Sequence, residues 1–98
     1  MGEEAEIQRA IIEYCEVHGN IVLRLNAGNV KKGSRHIRLC PPGTPDLLIV
    51  RDGKNLWIEV KRPGESLRPE QKEMIAELES RGELVIVARS LDDVMRII

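Results

Sequence analysis

Two apolar segments on either side of Asp52-Gly53 constrain the fold of this chain more than any other feature of the sequence. Residues 46–51 and 56–61 each have the length and apolar content of a β-strand. An Asp-Gly pair between two such segments is typical of a tight hairpin turn. The sequence therefore predicts an antiparallel hairpin over this region.

The predicted hairpin carries three ionisable side chains at one end. Asp46 opens the first strand, whereas Glu59 and Lys61 close the second. Side chains two residues apart on a strand point to the same face, and the start of one antiparallel strand lies beside the end of its partner. The three groups are therefore predicted to converge. Two carboxylates and an amine in this arrangement can hold Mg²⁺ and position a water for attack on a phosphodiester.

Each of these residues also has an ordinary explanation when it is taken alone. Asp46 follows Pro45, and an aspartate is common at the end of a turn. Glu59 and Lys61 are also typical of an exposed pair on a half-solvated strand. The combination of all three at one strand end favours a functional site.

Apolar periodicity and end signals predict the other elements. Residues 3–17 and 69–81 have helical periodicity, and Ser90 is a candidate cap for a final short helix. Residues 21–25 and 84–88 are predicted strands, 26–35 a loop and 36–39 a possible short strand. The order is α-β-(β)-β-β-α-β-α, which predicts helices packed on a mixed sheet.

Length and composition predict one small domain over residues 1–98. The chain has one Trp, one Tyr and no Phe, so the core is expected to consist of Ile, Leu, Val and Met. Cys15 and Cys40 form no C-x-x-C unit and are expected to be reduced, as in a cytosolic protein. No apolar run approaches the roughly 20 residues of a membrane span.

The charge distribution predicts a basic patch in a chain whose net charge is only −1. Residues 17–45 contain no acidic side chain but five basic ones. Such a segment can neutralise phosphates while the whole protein stays near neutral. The alternative is a solvated loop. The basic residues of the segment are Arg24, Lys31, Lys32, Arg35 and Arg38.

Three short segments together resemble a known family. Residues 43–48 are Gly-Thr-Pro-Asp-Leu-Leu, residues 58–61 are Ile-Glu-Val-Lys and residues 69–71 are Pro-Glu-Gln. With Glu6 in the first helix and the closing residues 82–94, this pattern resembles the VRR-NUC domain of the PD-(D/E)xK nuclease superfamily over nearly the whole chain. The resemblance implies a restriction-endonuclease-like α/β fold with a mixed β-sheet flanked by helices, in the order α-β-β-β-α-β with a short C-terminal helix.

The resemblance also implies roles for the residues of the hairpin. Asp46 and Glu59 would ligate a divalent metal, Mg²⁺ or Mn²⁺, with the main-chain carbonyl of Val60 as a third ligand. Lys61 would orient or activate the attacking water and stabilise charge in the transition state.

Two residues on helices are implied to complete the site. Gln71, which distinguishes this family within the superfamily, would reach back toward Lys61 or the metal-bound water. Glu6 would contact the metal through water. The alternatives are an exposed polar residue for Gln71 and an ordinary helix N-terminal acid for Glu6.

The function implied by the resemblance is a metal-dependent DNA endonuclease of the compact stand-alone type found in phages and bacteria. Stand-alone members look like homodimers that cut branched DNA such as four-way junctions. The expected location is the cytoplasm of a bacterial cell or a phage-infected host. Alternatives are a nickase acting on flaps or duplex or without specificity, and a catalytically silent DNA-binding module. The residues implied to face DNA are Arg24, Asn26, Lys31, Lys32, Arg35, Arg38 and Arg62.

Overall fold

The computed structural model describes residues 2–25, 30–32, 35–37 and 40–98, with the backbone alone described for 30–32 and 35–37. The helices and strands in chain order are α1 (Glu3–Val17), β1 (Ile21–Arg24), β2 (Val30–Lys32), β3 (Arg35–Ile37), β4 (Leu47–Val50), β5 (Asn55–Val60), α2 (Pro69–Ser80), β6 (Leu84–Ala88) and α3 (Leu91–Met95). No helix in these ranges is long and apolar enough to span a membrane.

The predicted hairpin is present as β4 and β5. The two strands are antiparallel and pair from Leu47–Ile58 to Val50–Asn55. The turn between them is closed by the Arg51 N–H, which donates to the Lys54 carbonyl at 2.9 Å. Gly53 has a φ of +73°, a left-handed conformation that glycine adopts without steric cost. The Asp-Gly signal in the sequence therefore predicted the turn correctly.

The main sheet has four strands in the order β1-β4-β5-β6. β1 and β4 are antiparallel, whereas β6 runs parallel to β5. A parallel pair needs a long crossover, and α2 supplies it between β5 and β6. The fold is therefore a mixed α/β fold with helices flanking a mixed sheet, as the sequence predicted.

The segment predicted as a loop and the possible short strand after it form a second, two-stranded sheet; β2 lies within the predicted loop, whereas β3 overlaps the strand predicted over 36–39. β2 and β3 pair antiparallel, from Val30–Ile37 to Lys32–Arg35. The prediction of a loop over 26–35 was therefore wrong for part of its length. The signal was available in the sequence, because two residues of the type Gly-Ser between short alternating segments are typical of a hairpin.

The core lies on one face of the main sheet. Leu56, Ile58 and Val60 of β5 point into it, and α1 covers them with Ile11 and Cys15. The prediction that methionine contributes to the hydrophobic core was wrong, because the buried core of the described residues contains no methionine. The residues of the buried core are Ile11, Cys15, Leu47, Ile49, Leu56, Ile58, Val60, Ala88 and Val94.

The alternation along β5 places Trp57 and Glu59 on the sheet face opposite the core. The Trp57 indole N–H donates to Glu83 Oε1 at 2.6 Å.

Ser90 occupies the predicted cap position of α3, but its side chain makes no capping bond. Asp93 in the first turn of α3 reaches back instead to the residue before the cap position, because its Oδ2 accepts from the Arg89 N–H at 2.8 Å.

Candidate active site

The structure brings Asp46 and Glu59 together at the end of the β4–β5 hairpin. Asp46 Oδ2 accepts a hydrogen bond from the Val60 N–H at 2.8 Å. The carboxyl groups of Asp46 and Glu59 lie within hydrogen-bonding reach of each other. The convergence expected from the antiparallel pairing is therefore present, and it rests on hydrogen bonding within the sheet.

Glu59 is buried with an incomplete set of partners. The residue is 2% exposed. Its Oε2 accepts from Gln71 Nε2 at 3.3 Å, whereas the buried Oε1 receives no hydrogen bond from any described donor. Burial raises the pKa of Glu59 to about 8, and the charge of Asp46 and the hydrogen bond to it act in the same direction; the Lys61 charge opposes them. Two carboxyl groups in such contact are compatible only with a proton or a cation held between them.

The raised pKa of Glu59 predicts that the metal-free protein loses stability as pH rises. Between the usual value of 4.5 and about 8, the folded protein holds a proton that the unfolded chain releases. The free energy of unfolding therefore falls with pH in this window, by at most about 1.4 kcal/mol per pH unit for one proton. In EDTA, Glu59→Gln is expected to flatten this fall in urea unfolding followed by Trp57 fluorescence.

The control for that measurement is Glu73→Gln, which changes an exposed acid on α2. It should retain the wild-type pH dependence. Identical pH dependence in wild type and Glu59→Gln would contradict the assignment of the bound proton to Glu59.

Lys61 lies in the same cluster. It is 4% exposed, and its main-chain N–H donates to the Ala88 carbonyl at 3.0 Å, which continues the β5–β6 ladder. Its positive charge opposes the rise in the pKa of Glu4 and of Glu59, and it adds to the lowering of the Glu65 pKa, which the hydrogen bond from Glu4 mainly causes. A buried ammonium is therefore held among carboxyl groups at the end of the sheet.

Gln71 links α2 to the cluster. Its Oε1 accepts from the Arg68 N–H at 2.9 Å, which satisfies a free donor at the start of the helix. Its Nε2 is thereby left to donate to Glu59. The side chain is 5% exposed, so the alternative of an exposed polar residue is wrong. Its partner is Glu59 rather than Lys61.

Gly43 sets the distance between the Asp46 segment and α2. Its φ is +85°, and a Cβ at this position would collide with the carbonyl oxygen of Glu70, lie 2.6 Å from the Glu70 carbonyl carbon and 3.1 Å from the Gln71 nitrogen. Only glycine is compatible with both the positive φ and the close approach of the Glu70 carbonyl. The close approach brings the first turn of α2 against the segment that ends in Asp46.

The acidic residue that α1 directs toward the cluster is Glu4. The charge of Glu4 contributes to the raised pKa of Glu59, and the pKa of Glu4 is itself raised, mainly by burial and then by a hydrogen bond to Glu65. Glu6 is exposed. Positions two residues apart on a helix face away from each other, so the structure does not bring Glu6 into the cluster with Glu4, and its contact with a metal through water stays a prediction.

Two residues that the sequence analysis missed organise the loop after β5. Glu65 accepts the hydrogen bond from Glu4, and this bond lowers the pKa of Glu65. Arg89 fixes the loop, because its Nη1 donates to the carbonyls of Arg62 at 3.1 Å and of Glu65 at 2.7 Å. No local sequence signal marks Arg89, because its partners are main-chain groups more than twenty residues away.

The residues expected to face DNA are only partly described. Arg24 ends β1 and is exposed, and Arg62 follows Lys61 with its side chain 59% exposed and 3.9 Å from Glu65. Arg24 lies next to Leu25, whose N–H donates to the Asp46 carbonyl at 2.9 Å. Both arginines thus flank the cluster. Asn26 and Arg38 lie outside the described residues, as do the side chains of Lys31, Lys32 and Arg35.

The donor set of the cluster fits a hard divalent cation. Glu59 Oε1 is buried and has no donor, and Asp46 supplies a second carboxylate. The N–H and C=O of one strand residue point to the same side, so the Val60 carbonyl points toward Asp46. Among the described residues, no three His, Cys, Asp or Glu side chains form a metal-binding group. Mg²⁺ is commonly bound by one or two carboxylates, with water or phosphate completing its shell.

Comparisons with known proteins agree on one family. The family model of the VRR-NUC domain matches residues 4–92. A solved structure titled "VRR_NUC domain" has 24% identity and a TM-score of 0.74, covering 99% of this chain and 95% of its own. A second, titled "VRR_NUC domain protein", has 25% identity and a TM-score of 0.60, covering 96% of this chain and 83% of its own. A search of curated proteins finds no match.

The match to the family model includes the whole Asp46, Glu59, Lys61 and Gln71 cluster. The solved structure at 24% identity shows the same fold over almost its full length. The chain therefore belongs to the VRR-NUC domain family, whose domains are nuclease-like.

Proposed function

We propose that the protein is a Mg²⁺- or Mn²⁺-dependent DNA endonuclease that nicks four-way junctions as a homodimer. The observation that carries the proposal is the buried Glu59 carboxyl, whose Oε1 lacks a donor, beside the half-buried Asp46 and the buried Lys61. A buried carboxylate oxygen without a hydrogen-bond partner, as at Glu59 Oε1, is costly for folding. Such an arrangement is explained by a cation and a phosphate that bind there.

The chain's own residues have distinct roles in the proposed reaction. Asp46, Glu59 and the Val60 carbonyl would hold the cation, and Gln71 keeps the Glu59 carboxylate in place through its 3.3 Å hydrogen bond. The cation, when bound, would act as a Lewis acid that polarises the phosphoryl group.

Lys61 would hold the attacking water and stabilise negative charge on the phosphate oxygens. The water oxygen attacks phosphorus and releases a proton, and the bond from phosphorus to the leaving sugar oxygen breaks. The sugar oxygen leaves as a hydroxyl after it takes up a proton. Burial of Lys61 strengthens its interaction with the phosphate, because less water screens the charge.

Exposed apolar side chains on β1 support the homodimer. Ile21 is 60% and Leu23 is 44% exposed, on the strand face opposite Val22, which packs against the core. A second copy would remove such side chains from water. A two-fold dimer also places two active sites on a two-fold-symmetric junction, which suits paired nicks.

The experiment that tests the proposal is cleavage of a labelled four-way junction beside duplex, flap and single-stranded DNA. Mg²⁺, Mn²⁺ or EDTA is present in separate reactions. We expect paired nicks on the junction with either cation and none with EDTA. Lys61→Met keeps the length of the side chain but removes its charge, and should lower the cleavage rate at least about 100-fold. Lys72→Met, at an exposed position of α2, is the matched control.

The outcomes separate the substrate from the chemistry. Cutting of flaps or duplex in preference to the junction would contradict the proposed substrate and retain the nuclease. Metal-independent DNA binding without cleavage of any substrate would contradict the enzyme and indicate a binding module. A monomeric mass at micromolar concentration would contradict the dimer.

A further inference from the structure

An exposed turn directly follows the buried Lys61. It spans Arg62 to Glu65, and the Glu65 N–H donates to the Arg62 carbonyl at 3.2 Å. Pro63 in the second position and Gly64, with a φ of +85°, in the third are typical of a type II turn. Exposed connecting segments are more mobile than the strands that they follow. The lysine proposed to hold the attacking water therefore lies at the boundary between the sheet and an exposed turn.

Arg89, the residue after β6, bonds both ends of this turn. Its Nη1 donates to the carbonyl of Arg62 at 3.1 Å and to that of Glu65 at 2.7 Å. A guanidinium Nη carries two N–H groups, so a single nitrogen can bond the first and the last residue of the turn. Both acceptors are main-chain oxygens. The interaction therefore fixes the path of the backbone and does not depend on the side chains of the turn.

The main chain on both sides of the Lys61 Cα is bonded to the end of β6. Before the Cα, the Lys61 N–H donates to the Ala88 carbonyl at 3.0 Å. After it, the turn is bonded by the side chain of the next residue, Arg89. The backbone of Arg89 is itself held, because its N–H donates to Asp93 Oδ2 at 2.8 Å. Ala88 and Arg89 together therefore define where the lysine leaves the backbone.

We propose that Arg89 is a positioning residue for Lys61. By holding the turn through two carbonyls, it keeps the main chain after Lys61 in place, so that the ammonium stays among the carboxyl groups at the end of the sheet. The inference rests on the proposed nuclease function and adds a residue that acts on the reaction through Lys61. A displacement of about 1 Å at a catalytic group can lower a rate about 100-fold, so loss of these two bonds is expected to be measurable.

The test is the single-turnover cleavage rate with saturating Mg²⁺, on the DNA that wild type cuts fastest. The proteins are wild type, Arg89→Ala, Lys61→Met, the double variant and Arg96→Ala, which changes an exposed arginine at the end of α3. We expect Arg89→Ala to lower the rate about 10- to 100-fold without changing the DNA affinity in EDTA. In the Lys61→Met background it should lower the rate no further, because residues that act as a unit are not additive. Arg96→Ala should match wild type.

Guanidinium ion supplies a second readout. At millimolar concentration, far below denaturing conditions, it can occupy the space left in Arg89→Ala and donate to the same two carbonyls. We expect it to raise the cleavage rate of Arg89→Ala but not that of Lys61→Met, with equal NaCl as the salt control. Arg89→Lys, whose ammonium can donate to at least one carbonyl, should retain more of the rate than Arg89→Ala. Urea unfolding followed by Trp57 fluorescence establishes that each variant is folded under the assay conditions.

The outcomes separate the positioning role from the nuclease function. Cleavage by Arg89→Ala at the wild-type rate would overturn the role and leave the function standing. So would a loss that multiplies with that of Lys61→Met, a loss confined to DNA affinity, or a rate of Arg89→Ala that guanidinium leaves unchanged. Absence of metal-dependent cleavage by wild type would contradict the function and overturn the role with it.

Discussion

Asp46→Asn is expected to lower the rate of metal-dependent DNA cleavage at least about 100-fold. The substitution keeps the shape of the side chain. The asparagine Oδ1 can still accept the hydrogen bond from the Val60 N–H, which Asp46 Oδ2 now accepts at 2.8 Å. It removes one of the two carboxylates proposed to hold the cation. The measurement is the single-turnover cleavage rate with saturating Mg²⁺.

The same substitution is not expected to lower the stability of the metal-free protein, so a loss of activity can be distinguished from unfolding. The charge of Asp46 raises the pKa of Glu59, so its removal lowers the cost of ionising Glu59 above about pH 5. In EDTA at about pH 8, Asp46→Asn should therefore be no less stable than wild type. Asp52→Asn, in the exposed hairpin turn, is the control and should change neither the cleavage rate nor the stability. Full activity of Asp46→Asn would contradict the proposed role of the carboxylate.

Gly43→Ala is expected to destabilise the protein by about 3 to 5 kcal/mol, one of the largest effects that a single methyl group can have. The new Cβ would collide with the Glu70 carbonyl, and the φ of +85° adds the cost of the left-handed region. Relief of the clash requires α2 to move away from the Asp46 segment. Because Gln71 lies at that end of α2, the 3.3 Å bond to Glu59 should also be weakened.

Gly53→Ala is the matched control for that prediction. Gly53 also has a positive φ, +73°, but a Cβ there meets no atom within 4 Å. Gly53→Ala should therefore lower the free energy of unfolding by only about 1 to 2 kcal/mol. Urea unfolding followed by the fluorescence of Trp57 measures both variants. Equal destabilisation of the two would contradict the contact between Gly43 and the start of α2.

The hairpin and the cluster of ionisable side chains at its end were predictable from sequence because the information is local. The turn signal of Asp52-Gly53 fixes the pairing, and the pairing places Asp46 beside Glu59. Alternation along β5 then separates the core residues from the site residues. Each step depends on residues close in the chain and on the regular geometry of an antiparallel hairpin.

To predict which acidic residue of α1 approaches the cluster, the position of each residue around the helix must be compared with that of the apolar stripe. Glu4 continues the stripe formed by Ile7, Ile11 and Cys15, the last two of which are buried. Glu6 lies on the outer side with Glu13, and both are exposed. The 3–4 spacing of the apolar stripe would have selected Glu4, because the stripe faces the sheet and its first turn ends at the cluster.

Contacts between residues that are distant in the chain could not be predicted in this way. The fit of Gly43 against Glu70 depends on how the segment before β4 meets α2. The Arg89 bonds to the loop at Arg62 and Glu65 depend on the parallel pairing of β5 and β6. Such contacts are set by packing between elements, and a single sequence carries no periodic signal for them.

Calorimetric titration with Mn²⁺ measures whether Asp46 and Glu59 bind a divalent cation, as proposed. Wild type, Asp46→Asn and Asp52→Asn are compared without DNA. We expect one cation per chain for wild type and Asp52→Asn, with binding weakened at least about tenfold in Asp46→Asn. Equal Mn²⁺ binding by all three proteins, or no binding by wild type, would show that the two carboxylates do not form a cation site.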